Sequence, residues 1–443
     1  MKKIFAAMSI ALLATPALAQ SGTNSPYSQY GIGVLSDQGN SFNRGMNGVG
    51  LGLRPHNQIN YLNPASYSAV DSLTFVFDAG LSLQLTNFKE GNVSKNAKNA
   101  NFEYAVGGFR AARNVGVAFG LLPVSNVGYN FSNTGSVLRT DDASTTTYTN
   151  TYSGTGGLHE VFLGVGWSPF KGFSMGVNGG YLWGEIERNV TNSYSDGYAK
   201  SLKKTRYCTF TNYKLDFGVQ YQHELNDKDV LTVGATYGLG HSLHADPTLS
   251  VISASSQTAV YDTVRYVADD GIDFPAQIAA GVAYTHGTKW TVGVDYTLQQ
   301  WADAKFPQEI EIESRDNSGD LIKKTDYVSK TGLLKDSHKI NAGFEYCQNT
   351  GLRGSFLSRI RYRLGASYST PYIKIGGKDG PSQLSVSAGV GIPIINAINN
   401  RSMVNVSAQW VRNDATGFIK ENTFRINVGL TFNERWFAKW KFE

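Results

Sequence analysis

The sequence predicts an all-β protein: a transmembrane antiparallel β-barrel of about 14 strands with an N-terminal plug segment in its lumen. Three observations support this prediction. The chain starts with an export signal, apolar residues alternate with polar ones along most of the remainder, and the connections are short and long in turn. Alternation with a period of two gives a strand one apolar and one polar face. In a membrane barrel these faces meet lipid and lumen.

Residues 1–19 have the features of a secretory signal peptide. Lys2 and Lys3 form a charged start, an apolar run follows, and Ala17-Leu18-Ala19 is a small-x-small cleavage site before Gln20. A membrane-anchoring helix is the alternative, but the apolar run is shorter than the roughly 20 residues that a span requires. The peptide is therefore excluded from the fold prediction.

The first predicted strand begins at Leu73, where apolar residues alternate with polar or small ones as far as Leu85. A slip of phase at Gly107-Gly108 predicts a β-bulge in the second strand. The last five strands centre on Ala342, Leu364, Val390, Val406 and Val428. In the thirteenth strand of the barrel, which centres on Val406, the predicted outward face carries Val404, Val406 and Ala408.

The lengths of the connections give independent support. Short links follow even-numbered strands, at 111–114, 168–171, 223–228 and 286–289. Long polar stretches follow odd-numbered strands, at 89–99, 189–204, 245–271 and 305–336. Outer-membrane barrels have short periplasmic turns and longer outer loops, whereas a soluble β-sandwich gives no reason for turn lengths to alternate. The barrel is therefore placed at 73–432, with residues 433–443 as a C-terminal periplasmic tail.

The composition agrees with a membrane barrel. Charged residues are 17% of the chain, below the roughly 25% of soluble domains. The mean hydropathy is -0.25, because lipid-facing and lumen-facing residues cancel in any window. The net charge of +5 is diffuse and predicts no nucleic-acid partner. Aromatic residues near strand ends are predicted to form interfacial girdles: Phe88, Trp167, Phe170, Trp183, Tyr284, Trp290, Trp301, Trp410 and Phe432.

Cysteine and histidine suggest no cofactor. Cys208 and Cys347 fall near opposite ends of the predicted barrel, so two free thiols are expected rather than a bridge. His241 and His244 resemble a metal pair, but three residues apart on a strand they face opposite ways. We therefore expect no metal site there.

Residues 20–72 do not alternate and are rich in glycine. A barrel of about 14 strands is wider than the 8-stranded barrels that side chains can fill, so this segment is predicted to plug the lumen. A flexible periplasmic tail is the alternative. Its apolar residues are candidates for the floor of a ligand pocket, and each is equally compatible with a plug core that contacts no ligand: Phe42, Met46, Leu51, Leu53 and Ile59.

Seven charged residues share the lumen-facing phase of their strands: Asp78, Asp216, Asp295, Glu345, Arg361, Arg363 and Arg425. Unpaired charges in a confined site are costly, so these groups are expected to pair across the lumen. A role in gating, or in binding a carboxylate head, is the alternative.

The chain resembles the outer-membrane long-chain fatty-acid transporters of the FadL and TodX type. In that family a glycine-rich N-terminal segment leads to Asn-Pro-Ala just before the first strand, as Asn63-Pro64-Ala65 does here. Further similar stretches are Phe274-Pro275-Ala276, 281–284, Asp295-Tyr296, Trp301, 363–368, Thr370-Pro371 and 386–391. One departure is the end of the chain, where Phe442 is next to last rather than a terminal aromatic residue.

The resemblance implies passive uptake of long-chain fatty acids or other hydrophobic small molecules, through the barrel and its wall, with the plug as a gate. It implies that Asn63, Pro64 and Ala65 anchor the plug. The expected location is the outer membrane of a Gram-negative bacterium, in contact with its lipid, and the expected state is a monomer.

Other functions are open at this point. One is a structural or secretion-accessory barrel without transport activity. An open polar porin would require the plug prediction to be wrong. A hydrolase would need a serine and a histidine within reach on one face, and no such pair stands out, so we expect no enzyme.

Overall fold

The computed structural model describes residues 22–138, 145–255, 257, 261–315, 321–349, 355–394 and 402–435. It is a closed antiparallel barrel of 14 strands, as the sequence predicts. The predicted signal peptide and residues 436–443 of the predicted tail lie outside the described residues.

The barrel strands follow one another around the wall in chain order. They are β1 (Thr74–Glu90), β2 (Val93–Ala112), β3 (Val115–Leu138), β4 (Thr145–Phe170), β5 (Phe173–Tyr194), β6 (Ser201–Glu224), β7 (Asp229–Gly238), β8 (Gln277–His286), β9 (Trp290–Gln299), β10 (Ser337–Tyr346), β11 (Arg361–Ser369), β12 (Ser382–Pro393), β13 (Met403–Asp414) and β14 (Lys420–Arg435). β1 pairs with β14 and closes the barrel. The last strand thus runs past residue 432 to Arg435.

The two faces of the strands differ as predicted. In β1, Leu81, Leu83 and Leu85 are exposed on the outer face, while the alternate residues are buried inside. In β13, Asn405 and Ser407 are buried, and their neighbours of opposite phase lie on the outer face. The predicted outward face of the thirteenth strand, Val404, Val406 and Ala408, is therefore confirmed.

Several strands continue beyond the barrel at the end that carries the long loops. There β3 and β4 stay paired as far as Leu138 and Thr145. Thr248–Ala254 pairs with β6, and Tyr261–Val267 pairs with Thr248–Ala254. Part of the predicted loop 245–271 is therefore sheet. We call this end the long-loop end and the other the short-turn end.

The remaining elements are short. Phe306–Arg315 and Leu321–Lys330 form a hairpin, and Val34–Leu35, His241–Ser242, Asp273–Phe274, Lys374–Ile375 and Lys378–Asp379 are two-residue strands. The helices are the 3-10 turns Pro26–Gln29 and Pro64–Ala69, with α1 (Ser41–Gly45) and α2 (Phe356–Arg359). Among the described residues, none of these helices has the length and apolar character needed to cross a membrane.

The bulge in β2 is displaced from its predicted position. Gly107 and Gly108 lie in regular register with β1, and the irregularity falls opposite Gly80 and Leu81, where Glu103 is the extra residue. Glu103 is 6% exposed and pairs inside the barrel with Arg44 at 2.8 Å. The bulge thus follows from an inward charge rather than from the glycines.

One girdle prediction is wrong. Trp301 is 1% exposed and packs inside the barrel, where its ring centroid lies 4.8 Å from that of Tyr372. It follows β9 directly, and the chain turns inward there instead of continuing along the wall. Cys208 and Cys347 are free and buried, and they line cavities at opposite ends of the barrel.

We expect Ser407→Leu and Ala408→Leu to differ, although the residues are adjacent in β13. Ser407 is 3% exposed and accepts a hydrogen bond from Asn427 Nδ2, so a leucine there overfills the interior and costs about 2 kcal/mol. Leucine at 408 adds apolar surface on the outer face and should cost nothing. The temperature at which the folded band disappears in a heat-modifiability gel measures both. Equal shifts would contradict the assigned register.

Candidate functional site

The N-terminal segment (residues 22–73) lies among the inward-facing side chains of the barrel. α1 packs against β11–β14, and the 3-10 helix Pro64–Ala69 packs against β2–β6 on the other side. Between them, Gly50 and Leu51 contact β9. Contacts with strands on all sides mean that the segment occupies the lumen.

Glycines of the wall make room for the 3-10 helix Pro64–Ala69. At Gly116 on β3, any side chain would collide with the main chain of Tyr67. At Gly176 on β5, it would collide with the main chain of Pro64. The glycine content of these strands therefore reflects a backbone-to-backbone fit between wall and segment.

Asn63 joins the segment to the wall at the start of this helix. Its Oδ1 accepts a hydrogen bond from the Ala65 N–H at 3.1 Å, which caps the helix. Its Nδ2 donates to the carbonyls of Leu51 and Val219 at 3.0 and 3.1 Å. Asn63, Pro64 and Ala65 are each fully or almost fully buried, a geometry that suits the predicted anchor.

Two of the lumen carboxylates bind the N-terminal segment. Asp295 accepts from the N–H groups of Gly50 and Leu51 at 2.6 and 3.0 Å. Asp78 accepts from Asn40 Nδ2 at 3.1 Å and from the hydroxyl of Tyr104 at 2.9 Å. Both carboxylates thus satisfy polar groups that the buried segment brings out of water.

One charge cluster involves a residue that the sequence did not single out. Asp37 of the segment lies 2.5 Å from Arg425 on β14 and 3.5 Å from Lys339 on β10. Although burial raises it, the pKa of the Asp37 carboxyl is lowered overall by Lys339, Arg425 and Arg44. Asp37 therefore stays ionised at neutral pH and links the segment to two strands.

The other lumen charges pair within the wall. Asp216 and the buried Glu160 share Lys214, at 2.7 and 3.1 Å. Glu345 lies 2.5 Å from Arg361 and 2.6 Å from Arg363. The expected pairing across the lumen is therefore not observed for these residues. Asp216, Glu345, Arg361 and Arg363 pair on their own or an adjacent strand, and Arg425 pairs with Asp37 of the segment. Asp78 and Asp295 hold uncharged groups of the segment.

The five residues chosen for a pocket floor are all buried but do not line one pocket. Phe42, Met46 and Leu53 pack together and border a cavity of about 650 Å³ at the short-turn end. Leu51 borders a central cavity of about 230 Å³, and Ile59 packs with Tyr61 and other aromatic residues. Their contact with a ligand stays a prediction.

His241 and His244, at which we expected no metal site, contact different partners. The His241 ring stacks on Tyr213 with centroids 4.3 Å apart, and His244 Nδ1 lies 3.0 Å from Asp270 Oδ1.

The barrel wall has a gap between β2 and β3. Their ladder runs from Val115 only to Leu121, which pairs with Ala105. Beyond that point, residues 93–104 of β2 and 122–138 of β3 are not paired with each other in the part of the chain that the structure describes. Pro123 lies where the ladder stops and has no N–H to donate, so it ends the pairing.

Residues 22–38 of the N-terminal segment bridge this wall gap, and we call them the closing segment. On one side, Asn101 Nδ2 of β2 donates to the Gly22 carbonyl at 2.7 Å. On the other, Val34 and Leu35 pair with Asn126 and Ser125 of β3. The gap is thus spanned by the chain's own N-terminal residues.

The closing segment also separates cavities. A cavity of about 1090 Å³ at the long-loop end is bordered by Tyr30, Ile32, Tyr129, Tyr152 and Arg188. On the other side of the segment, Leu35 borders both the central cavity and a smaller one of about 130 Å³ with Leu122, Val124, Phe162 and Trp301. Apolar and aromatic side chains line one part of the smaller cavity, and the charged Glu160, Lys214 and Asp216 also border it.

Sequence reasoning missed the wall gap and Asp37. Pro123 within a predicted strand was the available signal for the gap, because proline is tolerated only at strand edges and bulges. Asp37 lies in a stretch without periodicity, so nothing indicated which way its side chain would face.

The fold is similar to that of known outer-membrane transporters. The toluene transporter TbuX of Ralstonia pickettii is 13% identical, with a TM-score of 0.57 over 90% of this chain and 99% of that one. The toluene transporter TodX of P. putida is 13% identical, with a TM-score of 0.57 over 91% and 100% of the chains. A FadL homologue from Pseudomonas aeruginosa is 10% identical, with a TM-score of 0.55 over 90% and 98%.

These low identities make the resemblance to FadL and TodX one of fold. A comparison with curated protein sequences finds no significant match. The model of the BamG family, by contrast, matches residues 1–443. The chain belongs to the BamG family.

Proposed function

We propose that this protein passes hydrophobic small molecules from the cell exterior to outer-membrane lipid through the wall gap, with the closing segment as its gate. The observation that carries the proposal is that the gap has no β2–β3 ladder and is spanned by residues 22–38. In a membrane wall, unpaired strand edges are unfavourable unless another part of the chain satisfies them. A segment that satisfies them reversibly can serve as a gate.

The cavities supply a path. A ligand would enter the cavity at the long-loop end, among Tyr30, Tyr129 and Tyr152. It would then move past the closing segment to the apolar side of the smaller cavity, beside Leu35 and Leu122. From there the gap leads sideways into lipid. Leaving water is favourable by roughly 0.8 kcal/mol per buried CH₂, so the movement needs no energy source.

The ligands we propose are long-chain fatty acids or monoaromatic compounds. Similarly folded proteins are described as toluene transporters and as a FadL homologue, which supports this class without selecting within it. In this proposal the N-terminal segment is the plug, held by Asn63, Pro64 and Ala65, and the protein acts without enzymatic chemistry.

A second candidate is a structural or secretion-accessory barrel. It is favoured by the way the lumen is filled: the segment is tied to β2, β10 and β14 by the ion pairs of Glu103 with Arg44 and of Asp37 with Lys339 and Arg425. A barrel that never opens would have this property too. The two candidates differ in whether the closing segment moves.

We expect this protein to restore uptake of labelled oleate or toluene in bacterial cells that have an outer membrane but lack their own transporter. A variant in which residues 22–38 are replaced by a flexible linker should leak polar solutes as well, because the wall gap then lacks the segment that spans it. A folded, inserted barrel that restores neither uptake would favour the accessory role.

We expect a disulfide between Leu35→Cys and Ser125→Cys to block uptake. These residues are partners in the short ladder of the closing segment with β3, at a separation that suits a disulfide. The cross-link should lower the rate to background, and a reductant should restore it. Each single variant, which cannot cross-link, is the matched control; continued uptake through the oxidised protein would exclude the gate.

We expect Asp37→Asn to loosen the closing segment. It leaves Lys339 and Arg425 without their carboxylate, at a cost of about 2 kcal/mol, since these partly exposed groups retain some solvent. Hydrogen exchange in residues 22–38 should become faster, and uptake should rise. Glu311→Gln removes the exposed pair with Lys323 and is the control, which should change neither. Unchanged exchange in Asp37→Asn would show that this cluster does not hold the segment.

A further inference from the structure

The outer part of β3 presents a long strand edge. From Tyr129 to Leu138 this strand pairs with β4 on one side, and on the other side no strand among the described residues pairs with it. From Asn130 onward the residues are exposed, except the half-buried Gly135, and Val137 and Leu138 are 54% and 72% exposed. Such an edge carries a row of main-chain donors and acceptors that another strand can use.

The hydrogen bonds of Gly128 show which main-chain groups of β3 face the free edge. Its N–H lies 3.2 Å from Ser28 Oγ, and its carbonyl accepts from the same hydroxyl at 3.3 Å, so both face the free edge. Main-chain groups alternate between the two sides of a strand, and the β3–β4 register is unbroken from Ser125 to Leu138. Asn130, Ser132, Thr134 and Ser136 therefore point their N–H and C=O groups to the free edge.

Nothing in the sequence protects this edge. Proteins usually protect an exposed edge with lysine, proline, an inward charge or a bulge. Between Val124 and Leu138 there is no proline and no charged residue, and no bulge follows Ser125. The lower end of the same edge already accepts a strand, because Val34 and Leu35 pair with Asn126 and Ser125. The edge is therefore competent for strand addition and remains open above that point.

The opposite side of the wall gap, formed by the β1–β2 hairpin, is positively charged. There the β1–β2 hairpin carries the exposed Lys89, Lys95 and Lys98 against a single exposed acid, Glu90. β3 and β4 contribute no charged residue over 126–138 and 145–157. We call the space between the β1–β2 and β3–β4 hairpins the slot. Its β2 side is basic, and its β3 side is the unpaired strand edge.

We propose that this slot binds an extended, acidic segment of another polypeptide, which adds to β3 as a strand above the closing segment. Main-chain hydrogen bonds to Asn130, Ser132, Thr134 and Ser136 supply the binding, and Lys98, which shares a face of the β1–β2 hairpin with Lys89, selects acidic side chains. The site is continuous with the pairing of Val34 and Leu35. It is independent of transport and holds under either candidate function.

The test uses the mature full chain in detergent micelles and a fluorescent octapeptide that alternates Glu with Val or Thr. Thr134→Pro removes one edge-facing N–H, and proline at such a position leaves the β3–β4 ladder intact. Thr134→Val makes the same loss of the hydroxyl but keeps the N–H, so it is the matched control. We expect Thr134→Pro to weaken binding about tenfold, and Thr134→Val to leave it within about twofold of the unmodified chain. Equal affinity of the two variants would overturn the proposal.

Two further arms separate strand addition from simple charge attraction. Hydrogen exchange with bound peptide should show protection in residues 129–138 of β3. The Lys89→Glu/Lys98→Glu variant, which changes two lysines on one face of the hairpin, should reverse the preference toward a peptide with Lys in place of Glu. Lipopolysaccharide micelles are the alternative ligand. The slot is a lipid site, and the proposal fails, if these micelles bind equally well to the Thr134→Pro variant and the peptide does not bind at all. A heat-modifiability gel shows that each variant is folded.

Discussion

The need to satisfy main-chain hydrogen bonds governs this barrel. In lipid, every strand needs a neighbour on both sides, and closure of β1 on β14 provides this for most of the wall. Pro123 interrupts the rule, because it ends the ladder between β2 and β3. The wall is then completed by Val34, Leu35 and the residues before them, so the path of the N-terminal segment follows from a defect in the wall.

A second constraint follows once the segment is inside. Its polar groups leave water, and each must find a partner. Wall residues supply them: Asp295 for the Gly50 and Leu51 N–H groups, Asp78 for Asn40, and the cations of β10 and β14 for Asp37. The polar inner face of the strands therefore supplies partners for the polar groups of this segment.

The wall gap connects the two functional ideas. Its lower part is occupied by the closing segment and borders a cavity where apolar side chains lie beside the Glu160–Lys214–Asp216 cluster. Its upper part is an edge that no strand of the described residues pairs with, which fits contact with another chain. Both proposals therefore rest on the same interruption of the β2–β3 ladder.

The sequence by itself determined the strands, their number and which face of each meets the interior, because alternation reports the environment of every residue locally. It also predicted that residues 20–72 differ from the wall, and it identified Asp78 and Asp295 as inward groups. Only the tertiary structure decided what those groups bind, that Glu103 rather than Gly107 makes the bulge, and that Trp301 turns inward. The wall gap and the role of Asp37 also came from it, since they depend on pairings between residues far apart in the chain, which no local period encodes.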